Sequence, residues 1–172
     1  MNVPELSFVI IFFFIIHEFE EIFCVRSWIA KNENNKGLQK ENFISGKLHY
    51  PSTETLSLMI AEEFVVISII LFFSIKFQNI DTVIALFVAY TLHLFLHLFQ
   101  ALKFKKWTPG SRTALITILP ILIILPYLFG SEPHHMTAIL IWTVVIFFAL
   151  LLNLKFLYRM ALKIEKWREK IS

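Results

Sequence analysis

Residues 14–23, FIIHEFEEIF, place one histidine and three glutamates in a stretch that otherwise has the composition of a membrane-spanning helix. With 3.6 residues per turn, His17, Glu20 and Glu21 share one face of such a helix. Glu18 points about 100° away, so we expect it to lie outside this polar patch. Ionisable side chains are costly in hydrocarbon, and at such a depth they indicate a functional site.

Two other apolar stretches carry similar interruptions. The sequence MIAEEFVV contains Glu62 and Glu63, which lie about 100° apart on a helix, so only one can point straight into a shared centre. Glu62 is the preferred member, although the sequence leaves the choice open. The sequence YTLHLFLHLFQ contains His93 and His97 at i and i+4, a spacing that lets two imidazoles hold one ion. Gln100 continues the same face.

Carboxylates combined with neutral imidazoles are the ligands that zinc, iron or manganese selects, and helix bundles build metal sites from inward-facing Glu and His. The predicted metal ligands are His17, Glu20, Glu21, Glu62, His93 and His97. The predicted catalytic carboxylates are Glu21, Glu62 and Glu63. Two alternatives stay open. The same residues could transfer protons or act as an acid and a base without metal, or they could only join helices through polar contacts.

The composition places these residues in a membrane protein. The chain has 172 residues, of which 57% are apolar, with nineteen Phe and only four Gly; the mean hydropathy is +0.68. Such values favour lipid-facing helices over a soluble core. No basic block interleaved with aromatic residues indicates a nucleic-acid partner. The single cysteine, Cys24, excludes an intramolecular disulfide. The bias toward Ile, Phe, Lys and Asn suggests an AT-rich bacterial genome.

Five segments are long and apolar enough to be spans, since a span needs about 20 residues. They cover roughly 3–25, 55–76, 80–102, 112–130 and 136–158. The sequence therefore predicts an all-α polytopic bundle with a single transmembrane domain, 1–158, and a basic cytoplasmic tail, 159–172. The first segment lacks a basic start and a small-residue cleavage site, so we do not expect a cleavable signal peptide. Pro120 and Pro126 should kink the fourth segment, which neighbouring helices can accommodate.

Charges in the connecting segments predict the orientation. Basic residues are concentrated after the first segment, after the third and in the tail, whereas the other two connections carry one or none. This alternation predicts five spans with the N-terminus outside and the C-terminus in the cytoplasm. All three polar groups then lie about 6–14 Å below the cytoplasmic boundary. The polar segment 24–53 is either a linker or a cover over the site.

The sequence WTPGSRT lies in a predicted cytoplasmic loop. Pro109 and Gly110 fit the two central positions of a type II turn, and Ser111 or Thr113 can cap the following helix. An ordinary tight turn is the preferred interpretation. The alternative is an anion site, such as one for a lipid phosphate, made by the N–H groups at the helix start together with Arg112.

The motif HEFEE reads H-x-x-E-E, and the sequence resembles the HXXEE family of small bacterial and archaeal integral membrane proteins. The resemblance also rests on the Glu62–Glu63 pair, on the histidines His93 and His97, and on WTPG followed by a threonine. It covers roughly residues 6–155. It implies the site and the topology, but it supplies no reaction.

Together these features predict a metal-dependent enzyme of the bacterial cytoplasmic membrane, with membrane lipids around it and a lipid-like substrate. A zinc hydrolase is slightly favoured over an oxidase with two iron ions. The alternatives are a metal-free proton or cation carrier and a metal-free acid–base enzyme. A carrier is ranked lower because the outer halves of the segments hold few polar residues. The sequence does not define an oligomeric state.

Overall fold

The computed structural model describes residues 1–32, 34, 51–131 and 133–171. Within them the chain forms five helices and no strand, so the predicted all-helical fold is confirmed. The helices are α1 (Val3–Asn32), α2 (Thr53–Lys76), α3 (Ile80–Phe104), α4 (Ser111–Ser131) and α5 (Met136–Ile171). Most of segment 24–53, for which the sequence predicts a linker or a cover, lies outside the described residues.

Local side-chain chemistry sets the starts of the first three helices. Asn2 and Glu5 exchange reciprocal hydrogen bonds of 2.9 Å, which forms a capping box at the start of α1. Ser52 accepts from the backbone of Thr55, and Asn79 accepts from the backbone of Thr82, so each supplies an N-cap. These caps satisfy N–H groups that no helical carbonyl can reach.

Four helices are long and apolar enough to cross a membrane: Thr53–Lys76, Ile80–Phe104, Ser111–Gly130 and Met136–Ala161. The chain therefore has the character of an integral membrane protein. Although α1 has 30 residues, its charged residues leave no comparably uncharged stretch; they include Glu5, Glu18, Glu20, Glu21 and Arg26. The fifth predicted span is consequently not established by length and composition.

Helix α3 lies at the centre of the bundle and contacts the other four helices. Its residues 83–87 are buried on every face, as expected of a helix surrounded by neighbours. Helix α1 contacts α2, α3 and α4, and it has a polar face toward α3. This arrangement brings the polar residues of α1, α2 and α3 to one end of the bundle.

That end carries the basic residues at the ends of α1, α3 and α5, such as Lys31, Lys106 and Arg168, and we call it the basic end. Polar contacts hold it together. The indole N–H of Trp28 donates to the carbonyl oxygen of Trp107 at 2.8 Å. Arg168, near the end of α5, lies 2.9 Å from both Ser52 and Glu54 at the start of α2. Helix α5 continues through residues 159–171 of the predicted basic tail, and Arg168 there packs against the start of α2.

Candidate metal centre

Three histidines meet between α1 and α3. Nε2 of His17 lies 3.2 Å from Nε2 of His93, and Nε2 of His97 lies 3.1 Å from that same atom. One ring nitrogen of each residue lies within 4.8 Å of the other two. The predicted convergence of these residues is confirmed, and their role as metal ligands is a prediction that this geometry supports.

The sequence of α1 explains why His17 is turned inward. Four phenylalanines, Phe8, Phe12, Phe19 and Phe23, are all exposed and form one stripe along the helix. At 100° per residue, His17 lies on the opposite face and is fully buried. Because neighbouring helices cover that face, the imidazole is held among protein groups.

A hydrogen bond at Nδ1 of His97, the ring nitrogen that points away from His93, sets the tautomer of the neutral ring. His97 Nδ1 lies 3.1 Å from the carbonyl oxygen of Pro109. A carbonyl oxygen can only accept, so Nδ1 carries the hydrogen, and in the neutral ring Nε2 then has a lone pair that can bind an ion. Metal-binding histidines are commonly oriented in this way by a carbonyl group behind the ring.

Thr113 orients His17 in a similar way. Its hydroxyl oxygen lies 2.6 Å from Oε2 of Glu20 and 3.2 Å from Nδ1 of His17. The single hydroxyl hydrogen of Thr113 is donated to Glu20, so the hydroxyl oxygen accepts from Nδ1–H of His17. Nε2 of His17 therefore also presents a lone pair. Glu20, predicted as a ligand, instead lies behind this histidine and contacts Thr113.

The three inward nitrogens fit one metal ion. In neutral rings, Nε2 of His17 and Nε2 of His97 each carry a lone pair. Without a metal, a single hydrogen on Nε2 of His93 would have to be shared between these two nitrogens. Ligands 2.0–2.1 Å from a tetrahedral zinc ion lie roughly 3.3 Å apart. Two of the three separations, 3.2 Å and 3.1 Å, are close to this spacing, and the nitrogens of all three residues lie within 4.8 Å of one another. Donor chemistry and spacing therefore show a group of three histidines that could hold a metal ion.

Glu21 is the carboxylate in direct contact with the histidines. Its Oε1 lies 3.3 Å from Nε2 of His97, and its side chain is one-fifth exposed. It also lines a cavity of about 210 Å³ beside the histidines. From this position Glu21 can complete a coordination shell or accept a proton from a molecule in the cavity.

The turn before α4 closes the site from the side of the basic end. Gly110 has φ +76°, and the backbone N–H of Ser111 donates to the carbonyl oxygen of Thr108 at 3.1 Å, which matches the predicted type II turn. A Cβ on Gly110 would lie 2.8 Å from His97 Nδ1 and 2.9 Å from both Glu21 Oε1 and His17 Cε1. Gly110 is therefore required by the backbone conformation and by its contact with the site.

Glu18, predicted to lie outside the cluster and toward another helix or the interface, is not a member of the histidine group. Glu18 is buried and lines the cavity together with Glu21, Glu63, His93 and His97. The prediction assumed one polar face on α1, but this helix contacts neighbours on more than one side. Its second polar face meets α2, where Glu63 comes from the opposite wall.

Glu62 and Glu63 point in different directions, as their 100° offset requires. Nδ2 of Asn153 in α5 donates to Oε2 of Glu62 at 2.7 Å. Glu63, the less favoured member of the pair, lines the cavity. The structure thus gives Glu62 a contact between α2 and α5, and it gives Glu63 the position facing the site.

Other candidates have clear positions. Gln100 lines the cavity, and within the described residues its buried Oε1 has no hydrogen-bond partner. Cys24 is a half-buried free thiol and is not part of the histidine group. His135 binds Asp81 at 2.9 Å at the opposite end of the bundle.

Residue spacing did not assign Thr113, Pro109 and Gly110 to this site. An ordinary tight turn was the preferred interpretation, with an anion site at the start of α4 as the alternative. In the structure the anion at that helix start is Glu20, which accepts from the backbone N–H of Thr113 at 2.7 Å. One feature of the sequence could have indicated their role: the TPG turn and the HEFEE motif were both predicted near the cytoplasmic boundary, so they could lie close together.

The fold and the site define a class: a helical protein of membrane type with a partly buried histidine cluster beside a cavity that carboxylates line. The chain belongs to the HXXEE family, described as "Protein of unknown function with HXXEE motif", whose model matches residues 8–125. The match includes all three histidines, Glu62, Glu63 and the turn before α4, and it ends within α4. No curated protein and no solved structure matches the chain significantly.

Proposed function

We propose that this protein is a metal-dependent hydrolase of the bacterial cytoplasmic membrane that acts on a lipid-like substrate. The observation that carries the proposal is the convergence of three Nε2 atoms, two of which have their lone pairs fixed by Pro109 and Thr113. A bound zinc ion would supply a Lewis acid that polarises a carbonyl group and activates water near neutral pH.

One ion is favoured over two. Sites for two iron ions in helix bundles use several carboxylates on the metals. Here Oε2 of Glu20 accepts from Thr113, and Oε2 of Glu62 accepts from Asn153. The described residues that converge most closely are three histidines with one nearby carboxylate, Glu21. This composition favours a zinc hydrolase over an oxidase with two iron ions.

The carboxylates of Glu21 and Glu63 suit the proton transfers of hydrolysis. In such a reaction the oxygen of water bonds to the carbonyl carbon, and Glu21 or Glu63 accepts the proton released from that water. The bond from carbon to the leaving oxygen or nitrogen then breaks, and the same carboxylic acid returns the proton to the leaving group. Both side chains line the cavity in which the substrate would lie.

The proposed topology has five spans, with the N-terminus outside and the basic end in the cytoplasm. The exposed stripe Phe8, Phe12, Phe19 and Phe23 supports α1 as the fifth span, because it covers about 22 Å of helix length. Its charged residues at positions 18, 20 and 21 are directed away from that stripe. The basic end then meets the anionic inner surface of the membrane.

Elemental analysis of protein purified without chelators tests the metal centre. We expect about one zinc ion per chain in the wild type and a loss of most of it in His93→Ala. His135→Ala is the matched control, because this exposed histidine lies at the other end of the bundle. Less than about one-fifth of an ion per chain in the wild type would contradict the metal-dependent proposal.

One observation favours a second candidate, a metal-free acid–base site. A continuous series of contacts runs from Glu21 through His97, His93 and His17 to Thr113 and Glu20, with successive distances of 3.3, 3.1, 3.2, 3.2 and 2.6 Å. Such a chain can move a proton without a metal. Metal-free wild type that retains a folded site, with a proton flux lost in His93→Ala vesicles, would favour this candidate.

A further inference from the structure

A second, smaller cavity lies next to the first. It measures about 70 Å³ and is bounded by α1, α2, α3 and α5. Apart from the side chains it shares with the first cavity, its walls are almost wholly apolar; examples are Phe14, Ile67, Ala89 and Phe147. We call it the chain cavity. It extends from the histidine cluster into the apolar interior of the bundle.

The two cavities meet at the chemically active groups. Both are lined by Glu18, Glu63 and His93, together with Leu151 and Leu154. These side chains are therefore the boundary between a partly polar space and an apolar one. A molecule that occupied both cavities would place the junction of its polar and apolar parts beside His93 and Glu63.

The larger cavity can be entered from the apolar surface of the bundle. Leu96 and Phe99 line it, yet they are 44% and 64% exposed, so this wall reaches the outside. Lys103 is the one cationic side chain that lines it among the described residues, and Gln100 lies one turn away. An amphiphile entering from the bilayer would leave its head group near these two residues.

The size of the chain cavity limits what it can accept. A water-sized group needs about 10–15 Å³ of cavity volume, so the chain cavity has room for roughly five to seven such groups. That is one short hydrocarbon chain, or one part of a longer chain, and not two chains side by side.

We propose that the site binds a single-chain amphiphile. Its hydrolysable carbonyl lies between His93 and Glu63, its head group lies in the larger cavity, and its chain enters the chain cavity. This inference rests on the proposed hydrolase function and adds the substrate class. Ala89 and Phe147 both line the chain cavity, so a larger side chain at position 89 would reduce the space for the chain.

Photochemical labelling in lipid nanodiscs tests where the chain lies. The probe is an octanoyl lysophospholipid with a terminal diazirine; illumination expels N₂, and the resulting carbene inserts into a neighbouring C–H bond. Mass spectrometry then locates the label. We expect labelling of Phe147 or Leu150 in the chain cavity to exceed that of Phe148, which faces outward in the adjacent position. A dipalmitoyl probe should label only outward-facing residues.

Filling the chain cavity should remove the internal label. In Ala89→Phe the added ring would occupy the chain cavity, and a probe chain could enter only by overpacking it. We therefore expect labelling of Phe147 and Leu150 to fall by about tenfold. Ala89→Leu keeps the test possible if the larger side chain prevents folding. The matched control is Ala149→Phe, because Ala149 is exposed on α5 and lines neither cavity.

Zinc content is measured on the same samples, so the two proposals fail separately. Labelling confined to Phe148 and other outward-facing residues, with zinc still bound, would overturn the single-chain inference. Internal labelling unchanged in Ala89→Phe would overturn it as well. Internal labelling that disappears in Ala89→Phe, in a protein without zinc, would support the amphiphile site and contradict the hydrolase mechanism.

Discussion

Thr113 donates two hydrogen bonds to a single oxygen of Glu20, at 2.7 Å from its backbone N–H and at 2.6 Å from its hydroxyl. The contact joins the start of α4 to the polar face of α1. It also places a carboxylate at a helix N-terminus, where the helix dipole favours negative charge. Because the hydroxyl oxygen then accepts from His17, the pair determines which nitrogen of that ring faces the cluster.

The first prediction concerns Thr113→Val, which keeps the side-chain shape and removes the hydroxyl. Without its partner on Nδ1, His17 loses its fixed tautomer, and zinc affinity should fall by about 10–100-fold. A competition titration against a chromophoric chelator measures this affinity. Thr117→Val is the control, because Thr117 lies one turn further along α4 and its hydroxyl bonds to the carbonyl of Thr113. Equal zinc affinity in all three proteins would contradict this role of Thr113.

The second prediction compares two glycines of the same region of the chain. In Gly110→Ala the backbone must keep a positive φ, which costs roughly 1–2 kcal/mol for a residue with a Cβ. The added carbon would also meet His97, Glu21 and His17 at distances below 3.0 Å. We expect lower stability together with loss of bound zinc, measured by thermal unfolding and elemental analysis.

Gly130→Ala is the control for that prediction. Gly130 lies inside α4, and among the described residues no atom beyond its own stretch of helix lies within 4 Å of the position that a Cβ would take. An alanine should therefore be neutral or stabilise the helix by up to about 1 kcal/mol. Its zinc content should stay at the wild-type level. If Gly110→Ala retained full zinc with normal stability, the turn could not lie as close to the histidines as described.

Residue spacing predicted much of this site, and its failures have physical causes. The i, i+4 relation of His93 and His97 survives in any helix, so it could be read directly. The choice between Glu62 and Glu63 depends on how α2 is rotated about its axis, which packing against α5 decides. The burial of Glu18 beside the cavity was not predicted, because it depends on α1 having neighbours on several sides. The approach of Gly110 to His97 depends on how a loop packs in three dimensions, and no helical period encodes that.

The third prediction uses the hydrogen bond between Glu62 and Asn153. A double-mutant cycle of Glu62→Ala and Asn153→Ala should give a coupling energy of about 0.6–1.7 kcal/mol, as for other polar contacts between membrane helices. Chemical unfolding in detergent micelles provides the free energies. The matched cycle of Glu63→Ala with Asn153→Ala should give no coupling, because Glu63 faces the cavity. Coupling in the second cycle and not in the first would reverse the orientations assigned to this pair.

The last prediction tests whether α1 crosses the membrane. In a Cys24→Ser background, Asn2→Cys and Lys31→Cys place single thiols near the two ends of this helix, both at residues outside the buried core. The proposed topology places Asn2 outside, so a membrane-impermeant maleimide should label Asn2→Cys in intact cells. Lys31→Cys should be labelled only after the cells are opened, because the positively charged end lies in the cytoplasm. If both thiols react equally in intact cells, α1 does not span the membrane. The histidine cluster would then be held by a helix that lies against a four-span bundle.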